Sequence, residues 1–239
     1  MMINYYLITG DTHAEFDRFD KIQAMIPSNE TWGVIVLGDF GTNYYLSRGS
    51  RDYKLKKWLL HRYPNIKFFA VRGNHEQRPE LVRGMKLVED RDVVGKVYQE
   101  PEFPNISYLI DGATYIINGK KTLVLGGAYS VDKEWRLEAG YGWFPREQLD
   151  NNERTIILNN VKGKYFDRVL SHTCPIDWTP TEVFLSFIDQ SKVDKTMEYW
   201  LAEVRDSITF GHWWFGHYHT NRPINDKATI LFEDIVEFK

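Results

Sequence analysis

Five short clusters carry the residues able to do chemistry: Asp11-Thr-His13, Gly38-Asp39, Gly73-Asn74-His75-Glu76, Ser171-His172 and Gly216-His217-Tyr-His219. The chain has only seven histidines, and three of them crowd into residues 211–220 beside two tryptophans. Imidazole is a poor core filler and costly to bury unpaired, so packing does not explain the crowding. A metal would. In an extended chain residues i and i+2 point to the same side, so Asp11 with His13, and His217 with His219, could each present two ligands to one site.

Adding Asp39, Asn74 and His172 makes seven oxygen or nitrogen donors and no thiolate. Mixed imidazole and carboxylate suits Mn, Fe, Zn or similar ions, whereas Ca would want mostly oxygen. Seven donors exceed what one tetrahedral ion needs. Two divalent ions sharing a bridging carboxylate would use them. Such pairs sit about 3.5–4 Å apart, clamp a phosphoryl group and activate water at neutral pH. Two such ions against two aspartates leave roughly two positive charges, less one for a bridging hydroxide, which favours an anion such as a phosphate ester.

The elements that must position these clusters are legible too. NYYLITG, WGVIVLG, IKFFAVRG, DRVL and HWWFG are apolar runs, each ending in one of the clusters. They read as strands buried on both faces. Helical patterns lie between the first three, at 14–26 and 51–63, and predict βαβ units with parallel strands. Between 106 and 126, Asp111-Gly112 and Asn118-Gly119 sit between alternating runs and predict hairpin turns in an antiparallel meander. Helical patterns return at about 146–160 and through 181–206, where Ser191 to Asp194 would cap the second of two helices. The sum is an α/β (α+β mixed) chain: a mixed sheet or two sheets face to face, with helices outside. The clusters then share the carboxyl edge of the strands, where open α/β sheets bind ligands.

Composition narrows the classes. At 239 residues, 43% apolar and 15% aromatic, the chain can bury a sizeable core, and residues 1–239 read as one domain without a linker. Its net charge is −3, and the basic stretch Lys54 to Arg62 is interleaved with apolar residues as on a helix face. No basic stripe points to extended nucleic acid. The lone Cys174 suits a reducing compartment. The N-terminus lacks a cationic leader, and no apolar run reaches a membrane span. A cytoplasmic protein with no membrane contact is expected; protein partners are not legible.

Taken singly, each cluster also has a plainer reading. Gly-Asp after a strand is often a turn, and Asn-His often a cap. His61 and His212 read as structural, and Trp213, Trp214 and Phe215 as core. Gly126 to Asp132 reads as a turn at the same edge, while Trp178 suits core or pocket. What chance does not readily supply is the ordered set of five, each at a strand end.

That ordered set resembles the calcineurin-like metallophosphoesterase superfamily, over residues 9 to 219. The resemblance implies a double β-sandwich flanked by helices, four layers in all, with a two-metal centre at one edge. By position, Asp11, His13, Asp39 and His219 would hold the first ion. Asp39 would bridge to the second, completed by Asn74, His172 and His217. Manganese is the first expectation, with iron, zinc or nickel as alternatives. His75 would face the substrate, supporting the phosphoryl oxygens or protonating the leaving group. The implied chemistry is in-line attack by a metal-bound hydroxide without a phospho-enzyme.

One departure bears on substrate. Phosphoprotein phosphatases of the superfamily follow Gly-Asp with a further Asp-Arg-Gly, but here Gly38-Asp39 runs into Phe40-Gly41-Thr42-Asn43. Arg48, Arg72 or Arg136 could supply the missing phosphate contact. The leading expectation is a metal-dependent phosphoesterase acting on a phosphate-ester substrate. A cyclic-nucleotide phosphodiesterase or nuclease is the alternative among enzymes. A non-catalytic metal-binding scaffold is the alternative outside them.

Overall fold

The computed structural model describes residue 3, residues 5–46 and residues 49–239. Three parallel strands come first: β1 (Tyr6–Thr9), β2 (Trp32–Val36) and β3 (Ile66–Ala70). A hairpin follows, β4 (Lys86–Asp90) with β5 (Gly95–Gln99), then β6 (Ile106–Tyr108). With β13 (Ile235–Glu237) they form a seven-stranded sheet, β13-β1-β2-β3-β6-β5-β4. The second sheet has six strands. Its members are β7 (Thr114–Ile117), β8 (Lys120–Leu125), β9 (Tyr165–Ser171), β10 (Thr209–Phe215), β11 (Arg222–Asn225) and β12 (Ala228–Ile230), ordered β11-β12-β10-β9-β8-β7.

The central strands are apolar on both sides because both sides are covered. Ile8, Ile35 and Phe69 meet Tyr115, Val124 and Leu170 between the two sheets. On the outer face of the first sheet, Leu7, Val34 and Phe68 pack under Phe16, Phe19, Leu59 and Tyr63. These come from the segment around α1 (Asp20–Met25) and from α2 (Arg51–Arg62). On the outer face of the second sheet, Leu123, Val169 and Trp213 pack under α4 (Asn151–Val161) and α5 (Thr196–Ser207). Successive side chains of a strand alternate faces, so a continuous apolar run feeds two cores at once. Helices, sheet, sheet, helices are the four layers the sequence implies.

Three local expectations need correction. Asp111-Gly112 is not a hairpin but the crossover between sheets, since β6 pairs with β3 and β5 while β7 pairs with β8. Gly112 does take a left-handed φ of +76°, but Asp111 is spent on Arg72 Nε and Gly126 N, each at 2.7 Å. Asn118-Gly119 is a true hairpin turn, both residues having positive φ. Residues 181–206 hold only one α-helix: a single 3-10 turn, Thr181–Val183, precedes α5. Ser191 bonds back to Asp189 rather than capping, and Asp194 accepts the Thr196 N–H. A short helix, α3 (Lys133–Glu138), follows the turn at 126–132, where the sequence had suggested no element. No helix among the described residues is long and apolar enough to cross a membrane.

Candidate metal centre

Register brings the clusters together. Thr9, Val36 and Ala70 form one row across β1, β2 and β3, and Leu125, Ser171 and Phe215 form another across β8, β9 and β10. Past these rows the chain leaves both sheets at one edge, carrying Asp11, Asp39, Asn74, His172 and His217. The two aspartates are clamped alike. Asp39 Oδ1 accepts the His75 N–H and Asp11 Oδ1 the His217 N–H, both at 2.9 Å. A Cβ at Gly73 would lie 2.0 Å from Asp39 Oδ1, and one at Gly216 2.3 Å from Asp11 Oδ1. Glycine before the ligand is therefore a condition for seating the opposing carboxylate. His13, Asp39, His217 and His219 all adopt left-handed φ between 45° and 70°. Each such non-glycine residue costs on the order of 1–3 kcal/mol, and such strain gathers at functional sites.

The side chains face one another in ways that ask for cations. His172 Nδ1 donates to Leu37 O at 2.7 Å, so the neutral ring carries its lone pair on Nε2, which lies 2.8 Å from Asn74 Oδ1. The amide cannot turn to donate: its Nδ2 bonds Ser130 Oγ at 2.8 Å, and Ser130 in turn donates to Glu147 Oε2 at 2.6 Å. Two acceptors thus meet. Across the cluster, His13 Nε2 and His219 Nε2 are 2.9 Å apart. Asp39 Oδ2 lies between these pairs, 4.0 Å from His13 Nε2 and 3.7 Å from His172 Nε2. Asp11 Oδ2 is buried without a hydrogen-bond partner among the described residues, 3.4 Å from His219 Nε2 and 3.6 Å from His13 Nε2. Asp11, His13 and His219, and likewise Asp11, Asp39 and His172, place ligand atoms within 4.8 Å of one another. Divalent metal fits the donor set: the Asn74–His172 pair offers facing lone pairs, and Asp11 Oδ2 with His13 and His219 offers a second group.

Proton affinities follow from this crowding. Burial would raise Asp11 and Asp39, yet the imidazoles around them hold both below the usual carboxylate range. Burial would lower His13, but Asp11, Asp39 and Glu76 outweigh it and push His13 up to about 9. Burial, with His172 beside it, drives His217 down to about 3. Burial and the Asp39 charge push Glu76 up to about 8, although the Phe40 and Gly41 N–H groups donate to it.

The calcineurin-like phosphoesterase family pattern matches residues 5–221. The chain belongs to that family. Among solved structures it is similar to a phosphopantetheinyl hydrolase from Mycobacterium tuberculosis, with 11% identity, 95% of this chain and 88% of that chain covered, and a TM-score of 0.44. No curated protein sequence matches it.

For a calcineurin-like phosphoesterase, the remaining residues singled out in the sequence divide as follows. His75 lines the same cavity as the clusters, its Nε2 3.8 Å from Asp39 Oδ2, and its Nδ1 is buried without a partner. Arg136 pairs with Asp132, Nε to Oδ2 at 2.7 Å, and lies near enough to His75 to help burial lower its pKa. Arg72 does not reach the cavity. Its buried guanidinium is held by Asp111, Glu147 O and Gly126 O, so the expected phosphate contact gives way to tying the crossover to the loop after β8. Arg48 lies outside the described residues. Trp178 packs on Trp213 and Phe215 and belongs to the core. His61 bonds Lys57 O in its own helix, and His212 bonds Thr229.

Sequence reasoning missed Ser130 and Glu147, which fix the Asn74 amide. Nothing in their spacing marks them; Ser130 sits in the segment read as a turn. Tyr44 was missed as well. Its hydroxyl has no hydrogen-bond partner among the described residues, and burial with Asp39 and Glu76 nearby raises its pKa well above the usual tyrosine value.

Proposed function

We propose that the chain hydrolyses phosphate esters at a centre of two divalent ions. Asp11, His13, Asp39 and His219 would hold one ion, and Asp39, Asn74, His172 and His217 the other, with manganese the first candidate. The observation that carries the reading is the pair of facing acceptors, Asn74 Oδ1 and His172 Nε2, with Asp39 Oδ2 between them and the His13–His219 pair. Ions bound there would supply positive charge against a phosphoryl group and lower the pKa of coordinated water. The chain's own residues do the rest. Asp39 sets the separation of the two half-sites. Ser130 and Glu147 hold the Asn74 oxygen inward. His75, surrounded by protein and close to Arg136, favours the neutral ring, whose N–H can donate to a phosphoryl oxygen. Arg136 is the remaining candidate for a phosphate contact, once drawn off Asp132.

The test is turnover of para-nitrophenyl phosphate and of its bis-ester across Mn, Ni, Fe, Zn and Mg, with metal content measured alongside. Two ions per chain and turnover are expected. Faster cleavage of the bis-ester would assign a diesterase. Bound ions without turnover of either ester would assign the scaffold.

A further inference from the structure

The cavity that holds Asp39, Asn74, His75, His217 and His219 has a second, different half. Its volume is about 390 Å³. Away from the polar clusters it is walled by Ile176, Val183, Phe184, Leu185, Ile188 and Val193. These come from an irregular stretch, with short 3-10 turns at Ile176–Trp178 and Thr181–Val183 and no α-helix until Thr196. Val183 and Leu185 remain 40% and 53% exposed. Apolar side chains on an irregular surface segment, gathered around one opening, mark a ligand wall rather than a core.

Besides Asp39, two carboxyl groups line the cavity: Asp132, paired with Arg136, and Glu198. Glu198, near the start of α5, lines the cavity and is only 6% exposed. Its Oε1 accepts the Thr173 hydroxyl at 2.7 Å, and that hydroxyl lies 2.9 Å from Tyr218 Oη. Its Oε2 has no hydrogen-bond partner among the described residues. Burial raises the Glu198 pKa, and the Thr173 and Tyr218 hydroxyls offset this only in part. A buried carboxyl oxygen without a hydrogen-bond partner among the described residues, on a wall that mixes apolar side chains with Gln190 and Lys195, is a position for a donor carried by a ligand. Lys195 lines the same chamber and disfavours a cation there.

We propose that the chamber holds the organic side of the substrate: a small phosphate ester whose alcohol is an apolar chain or ring carrying a neutral hydrogen-bond donor, a hydroxyl or an amide N–H, received by Glu198 Oε2. The proposal rests on the phosphoesterase reading above and adds to it the class of ester. The whole cavity, about 390 Å³ with the space beside the polar clusters included, lies near the low end for small-molecule sites, so its apolar part suits a compact organic group rather than a polymer.

The experiment compares alkyl phosphates of increasing length, each plain, tipped with a hydroxyl, or tipped with a methyl ether. Lengthening should raise kcat/KM by up to about fourfold per methylene until the chamber is full. At one length the hydroxyl should be preferred to the methyl ether by ~10–100-fold, since only the hydroxyl can donate. Glu198→Gln, which keeps an acceptor for Thr173 and turns a donor to the chamber, should collapse or reverse that preference. Ile188→Trp, on the half-exposed part of the wall, should shorten the preferred chain and serves if Glu198→Gln does not fold. A flat length series with a hydroxyl-to-ether ratio near one overturns the proposal, provided wild type turns over para-nitrophenyl phosphate. If wild type turns over nothing with any metal, the phosphoesterase reading falls instead. Calorimetric binding of the diols against the hydroxy-ethers then still decides the chamber: no difference between them, or an equal one in Glu198→Gln, overturns it.

Discussion

The two halves of the ligand cluster are built differently. Asn74 and His172 are 1% and 0% exposed, held by Ser130 and by the Leu37 carbonyl, with lone pairs already turned inward. The His13 and His219 side chains keep 30% and 50% of their surface and owe their places to left-handed backbone and to each other. In the deep half the His172 ring and the Asn74 amide are each fixed by a buried hydrogen bond, to Leu37 O and to Ser130 Oγ. The open half holds its histidine by charge, and a proton must leave before an ion can enter. On the proposed two-ion reading, preorganisation and exchange would be divided between two half-sites joined by Asp39.

Breaking what the halves share should have the largest effect. Asp39 Oδ2 lies within 4.0 Å of His13, His75 and His172 nitrogens. Asp39→Asn should cost more than the ~10–100-fold that loss of an outer supporting group brings, in metal content as well as in rate. Asp11 groups with both half-sites too, so Asp11→Asn is the comparison to run beside it. Two ions and wild-type activity in Asp39→Asn, with both lost in Asp11→Asn, would move the bridging role to Asp11.

His75 tests whether chemistry separates from binding. Its N–H is proposed to support the phosphoryl group without holding an ion, so His75→Asn should leave both ions bound and slow turnover by ~10²–10³-fold. Burial and Arg136 lower its pKa, and a neutral ring is a poor proton donor to a leaving oxygen. The loss should therefore be similar for alkyl and nitrophenyl esters. A much larger loss for alkyl esters would show that His75 protonates the leaving group.

The deep half was the less legible in sequence, although its ligands were quoted as readily. Asn74 and His172 stand out at strand ends because alternation and apolar runs place them there. What turns the Asn74 oxygen inward is the Ser130–Glu147 relay, and Ser130 lies in a segment that reads as a turn because a hydrogen bond across 56 residues has no period. Gly73 and Gly216 could have been read further, as glycines preceding a ligand. That each seats the opposing carboxylate needs the fold. The four layers were legible because runs apolar on both faces require cover on both. The Asp111-Gly112 crossover was not, because the same turn residues serve a hairpin and a jump between sheets. The first of the two helices expected over 181–206 is absent among the described residues, where Val183, Phe184, Leu185, Ile188 and Val193 line a cavity instead.

Ser130→Ala sharpens the comparison without touching a ligand. The Asn74 amide would be free to turn its Nδ2 toward His172 and satisfy the lone pair that an ion should meet. Affinity at the deep half should fall ~10–100-fold while the open half keeps its own. Metal titration followed by elemental analysis should show one site weakened. Two sites weakened equally would mean that the halves are not built separately.

The smallest effect is expected in the stability of the metal-free chain against pH. Glu76 has a folded pKa of about 8 against an ordinary 4.5, so the fold favours its neutral form, and stability falls as pH rises toward 8. His13 has a folded pKa of about 9 against 6.5, so its stabilisation is complete below 6.5 and is lost as pH rises through 9. His217, at about 3 against 6.5, acts on the other side: stability falls as pH drops from 6.5 toward 3. Between 4.5 and 6.5 Glu76 and His217 oppose each other. From 6.5 to 9 Glu76 and His13 act together, and the chelated protein should lose a few kcal/mol, on the order of 5–10 °C in Tm. Glu76→Gln should remove part of that slope. Saturating divalent ion should remove most of it, because the ions supply the positive charge that the His13 proton otherwise provides. A Tm that is flat or rising from pH 6.5 to 9 without metal would show that the open half is not held by charge, and the contrast between the halves would fail there.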